Sequence, residues 1–149
     1  MRVEHRHVLV PTDFSEQSRT SLLVARDYAE QSRARLTIAH VLHTTQNLFG
    51  DGVYVTDATR TEREAAADME LRKLLTVLDA PNLVTACVVL HGAPHEQIPT
   101  FARENGVDLI VISTHGRSGV ASVVFGSVTQ RVIVASPCPL LVLPPRATS

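Results

Sequence analysis

Two segments of the 149-residue chain carry groups suited to gripping a phosphorylated ligand. The first is Pro11-Thr12-Asp13, which delivers a carboxylate straight after an apolar run. The second is STHGRSGVASVVFGSVT, from Ser113 to Thr129. Within it, Gly116 and Gly119 permit positive φ and close backbone approach, as a loop wrapping a phosphate requires. Gly126 then leads into the start of a helix, where N–H groups without helical partners and the helix dipole favour an anion. Ser127 and Thr129 add hydroxyls, and Arg117 adds a cation. A polyphosphate is the guest that this set of groups suits.

The same residues exclude several other devices. A Walker A loop needs Gly-Lys-Ser/Thr, whereas Gly126 is followed directly by Ser127. Lys73 is the only lysine in the chain, so a catalytic or phosphate-gripping lysine is nearly excluded by counting. No GxGxxG follows the first apolar run. Gly116-Arg117-Ser118-Gly119 is not a nucleophile elbow, because GxSxG needs glycine where Val120 stands.

Structural duties compete for some of these residues. Asp13 with Glu16, and Ser127 with Gln130, match the capping-box spacing, so each suits a helix start as well as a ligand. Arg117 is equally suited to a solvated loop, and His115 to donating a hydrogen bond or titrating near neutrality. The pairs His5/His7, His40/His43 and His91/His95 invite a metal reading. Only the last has i, i+4 spacing, and Gly92 and Pro94 lie between its two histidines and break the helix it would need, so no side-chain metal site is expected. Cys87 and Cys138 form no CxxC and no disulfide ladder.

These segments are positioned by an alternation of strand and helix. Apolar β-branched runs predict strands at His7 to Thr12, Arg35 to Val41, Leu83 to Gly92, Asp108 to Ser113 and Pro139 to Leu143. Helical periodicity occupies Ser15 to Arg33. A Thr59–Glu62 capping box predicts a second helix running to about Leu78. A third helix is expected to end at Asn105–Gly106 and, because of Pro99, to start late or kink. A fourth runs from Ser127 to about Ser136. Residues 43–58 read as a long polar loop. Strand alternating with helix means an α/β fold, an open doubly wound parallel sheet with helices on both faces. Ligands of such sheets bind beyond the carboxyl ends of the strands, where strand order reverses, so a shared ligand requires strands one and four to be neighbours.

Composition sets the outer limits. With 44% hydrophobic and 19% charged residues, the chain suits one globular domain over 1–149. A formal charge of −1 argues against nucleic-acid or membrane-surface partners. No signal-peptide core and no apolar run near the ~20 residues of a membrane span is present, so a cytoplasmic protein is expected.

The stretches VLVPTDFSE, VDLIVISTHGRSG and FGSVTQRVIVASPCPLLVL resemble the universal stress protein family, and the likeness runs over essentially the whole chain. Its nucleotide-binding branch carries Gly, two residues, Gly, nine residues, Gly, then Ser or Thr. Here the second and third glycines are Gly116 and Gly126, followed by Ser127, while Ser113 holds the first glycine's place. The resemblance implies five strands in the order 3-2-1-4-5, ATP or another adenine nucleotide at the switch point, and a homodimer. It implies that Pro11, Thr12 and Asp13 border the adenosine and that Val41 meets the adenine, with Ile112 and Ser113 ending the fourth strand beside them. Gly116, Arg117, Gly119, Gly126, Ser127, Val128 and Thr129 would hold the phosphates, and Mg2+ would arrive with the nucleotide. Such proteins act as stress-linked sensors or regulators with at most slow hydrolysis. A sheet-edge strand at Pro139 to Leu143 invites pairing with a second copy. Two alternatives stand beside this reading: a nucleotide-free dimeric scaffold, which Ser113 favours, and an enzyme of the adenine-nucleotide α-hydrolase-like group.

Overall fold

A computed structural model describes residues 4–43, 57–114 and 125–145. In chain order the elements are β1 (His7–Pro11), α1 (Glu16–Ser32), β2 (Arg35–Leu42), α2 (Asp57–Leu78), β3 (Thr85–His91), α3 (Pro94–Glu104), β4 (Leu109–Ser113), α4 (Ser127–Ala135) and β5 (Leu140–Leu143). The strands form one sheet in the order β3-β2-β1-β4-β5, and every pair is parallel. Alternate residues of each strand face opposite sides of a sheet. Val8, Val10, Leu36, Ile38, Leu109 and Val111 therefore join a core with Leu22 and Ala25 of α1 and Leu71 and Leu74 of α2. Leu9, Ala39, Ile110 and Ile112 join the opposite core, with Ile98 and Ala102 of α3 and Val132 of α4. Both faces of the central strands are sealed, as the near-continuous apolar runs require.

Three helix starts differ from the capping boxes in the sequence. Ser15, not Asp13, is the N-cap of α1; its side chain accepts from the Ser18 amide at 3.2 Å. Asp13 instead accepts from the Ser15 amide at 2.9 Å, because Phe14 at φ 64 reverses the chain before the helix begins. Helix α2 already runs from Asp57, so Thr59 lies inside it. Gly126 is the N-cap of α4 and Ser127 its first helical residue, with no side-chain cap. Nor does Pro99 delay α3, which begins at Pro94, where a missing N–H is tolerated. The other end of α3 follows the sequence, with Asn105 as C-cap and Gly106 at φ 63.

The loop 43–58 lies mostly outside the described residues, as do His115, Gly116, Arg117 and Gly119. Among the described residues no helix is long and apolar enough to cross a membrane.

Candidate functional site

Strands β1 and β4 are hydrogen-bonded neighbours, Val8 beside Leu109 and Leu9 beside Ile110, and the sheet order reverses between them. A cleft of about 430 Å³ opens beyond the carboxyl ends of the sheet, within the roughly 300–1,000 Å³ range of small-molecule sites. Pro11, Thr12, Asp13, Val41, Ile112, Ser113, Val128 and Thr129 line it. Gly126 and Ser127 stand at the start of α4 but are not among its lining residues.

The β1 side of the cleft is tightly tied. The Thr12 amide extends the ladder past Pro11 by donating to the Ala39 carbonyl at 2.8 Å. The buried Thr12 hydroxyl lies 3.0 Å from the Ser18 hydroxyl and accepts from the Phe14 amide at 3.0 Å. Burial is the largest single influence on the Asp13 carboxyl and acts to raise its pKa. Donors on Ser15 and Ser18, with its own amide, together outweigh that effect and hold it below the ordinary value of 3.8. Asp13 is therefore an acceptor-only carboxylate at neutral pH.

Across the cleft, the Gly126 amide donates to the Thr114 carbonyl at 2.8 Å. A Cβ built on Gly126 would stand 3.1 Å from that oxygen, and its φ of −58 is open to any residue. Glycine is present here for close approach rather than for conformational freedom. The first α4 turn bond runs from the Gln130 amide to the Gly126 carbonyl, which leaves the amides of Ser127, Val128 and Thr129 directed out of the helix end. The Thr129 hydroxyl donates to the Ser113 carbonyl at 2.9 Å and approaches that of Thr114 at 3.3 Å. Its proton is directed at the end of β4, and Thr129 itself lines the cleft.

Several lining residues belong to no local motif. His40 and Ser18 line the cleft, as do Pro94 and Ile98 of α3 and Arg63 of α2. Arg63 Nη2 donates to the His43 carbonyl at 3.5 Å, a long contact that holds a cation at the β2 rim. The histidine pairs serve separate ends. His7 is buried, donates from Nδ1 to the Asn105 carbonyl at 3.0 Å and accepts at Nε2 from the Thr37 hydroxyl at 2.8 Å. His91 pairs with Glu64 at 3.4 Å, and His95 faces Arg131 at 3.5 Å. Among the described residues no group of three or more His, Cys, Asp or Glu could hold a metal ion. Burial pushes both the Cys87 and the Cys138 thiol up, so neither is an activated nucleophile.

The chain is similar to universal stress protein MJ0577 of Methanocaldococcus jannaschii, 26% identical over 159 aligned positions that cover 96% of this chain and 97% of that one. The solved structure of MJ0577 superposes with a TM-score of 0.80 at 24% identity, covering 98% of this chain and all of the other. A universal stress protein solved in complex with cAMP superposes with a TM-score of 0.64 at 25% identity, over 95% of this chain and 98% of that one. The model described as the universal stress protein family matches residues 4–144. That span takes in every strand of the sheet and both walls of the cleft, and the chain belongs to the universal stress protein family.

Proposed function

We propose that this chain is a single-domain cytoplasmic stress-response protein that binds an adenine nucleotide, ATP in the first instance, and acts as a homodimeric sensor or regulator with at most slow hydrolysis. One observation carries the reading. An ionised, half-buried carboxylate, Asp13, lines a largely apolar cleft at the point where β1 and β4 diverge. Ribose hydroxyls donate to a carboxylate, and Val41 and Ile112 give the cleft an apolar wall that suits a base. The amides opening α4 suit phosphate oxygens, and the motif assigns Gly116, Arg117, Gly119, Gly126 and Ser127 to the same phosphates. Mg2+ would enter on those phosphates and keep most of its waters. The relative solved with cAMP supports an adenine nucleotide as the ligand class. Asp13 is the one carboxylate lining the described cleft, and its hydrogen bonds to α1 tie it down rather than leave it as a base.

Ser113 gives a second reading some weight. It lines the cleft where the family motif has glycine, which fits a nucleotide-free dimeric scaffold. Denaturing freshly purified protein separates the two. Adenine absorbance in the released fraction supports binding; its absence, together with no uptake of added ATP, supports the scaffold. Release of AMP and pyrophosphate over many turnovers would instead indicate an α-hydrolase-like enzyme.

A further inference from the structure

Strand β1 ends at Pro11, and the direction of the next residues is set from the neighbouring strand. His40 Nδ1 stands 2.8 Å from the Thr12 carbonyl oxygen. A carbonyl only accepts, so Nδ1 carries the ring proton and donates it. The same ring packs on Phe14, with centroids 4.4 Å apart and planes inclined at 32°. Phe14 sits at φ 64, a left-handed conformation that is strained for a bulky residue and persists only when its surroundings enforce it. Its amide is held by the Thr12 hydroxyl at 3.0 Å. Asp13 lies between two anchored residues, one fixed through its carbonyl and the other through its ring and amide.

We infer that His40 is a positioning residue of the nucleotide site: by donating to Thr12 and stacking on Phe14, it holds the left-handed turn that presents the Asp13 carboxylate to the cleft. The inference rests on the nucleotide reading of that cleft. Its mechanical part does not, because a ring that merely filled space would need no proton at one particular nitrogen.

The tautomer is tested on the unliganded protein by ¹⁵N-resolved NMR of the ring at mildly alkaline pH. A protonated Nδ1 is expected; an Nε2–H ring with bare Nδ1 would overturn the inference. Function is tested by ATP titration of wild type, His40→Asn and His40→Gln, each with and without Asp13→Asn. The Asn amide reaches the place of Nδ1 and can donate, whereas the Gln amide extends to that of Nε2. His40→Gln should weaken ATP binding about tenfold, the scale of a lost charge-assisted contact, and His40→Asn should recover most of it. Because both residues act on one contact, the Gln loss should largely vanish in the Asp13→Asn background. Wild-type affinity in His40→Gln, or an undiminished loss in that background, would overturn the positioning role. A wild type that takes up no ATP would sink the nucleotide reading instead, and the tautomer would still decide whether His40 holds Thr12.

Discussion

The Gly126 amide reaches back 2.8 Å to the Thr114 carbonyl, joining the start of α4 to the end of β4. Thr129 places its hydroxyl 3.3 Å from the same oxygen, so that oxygen has little freedom to retreat. Gly126→Ser discriminates between two readings of this glycine. As an N-cap, serine is at least as favourable as glycine and would be neutral or mildly stabilising. With its Cβ 3.1 Å from a restrained carbonyl, it should instead destabilise by about 1 kcal/mol or more and weaken nucleotide binding. Urea unfolding decides, and a variant as stable as wild type would refute the crowding.

Asp13 has a folded-state pKa below its ordinary 3.8. Its stabilising contribution is therefore present above that value and lost as pH falls through the folded one. The stability gap between wild type and Asp13→Asn should stay constant from neutral to mildly acidic pH and close only in strong acid. A gap that closes near neutrality would contradict the carboxylate assignment.

His7 has the opposite chemistry and a different window. Burial is the largest cause lowering its pKa from 6.5, with Arg35 acting the same way, against the raising influence of the Asn105 carbonyl and Asp108. The unfolded chain thus takes up a proton first. Stability should decline as pH falls below about 6.5, by at most ~1.4 kcal/mol per unit, and level off beneath the folded value. His7→Gln should flatten this part of the curve in urea unfolding between pH values on either side of 6.5; an unchanged slope would exclude His7 as its source.

Alternation makes the sheet faces legible from residues alone, since Val8 and Val10 face one core and Leu9 the other. The strand order comes from the family resemblance, because periodicity does not say which strands are neighbours. The capping residues of the helices are less legible. Capping-box spacing fits Asp13, Thr59 and Ser127, yet the caps of α1 and α4 fall on Ser15 and Gly126, and α2 begins upstream of Thr59. A left-handed Phe14 puts the α1 cap two residues past Asp13, at the Ser15 where the helical periodicity begins. His40 and Arg63 are hidden for another reason. One acts on a carbonyl 28 residues away and the other reaches the cleft from α2, so no local motif contains either.

The proposed homodimer can be tested at the sheet edge. Leu141 of β5 remains 37% exposed and Val134 of α4 88% exposed, apolar surface that a second copy would cover. Leu141→Asp should yield monomers by analytical ultracentrifugation at micromolar protein while the wild type sediments as a dimer. A monomeric wild type, or an unaffected variant, would reject β5 as the interface.

Calorimetric titration of ATP into wild type and Asp13→Asn, with and without magnesium, tests nucleotide binding most directly. Saturable heat with one site per chain is expected from the wild type, and about tenfold or greater weakening from the variant, the scale of a lost hydrogen bond to a charged group. No heat at millimolar ATP, or equal affinity in the two proteins, would contradict a nucleotide held by the carboxylate beside β1.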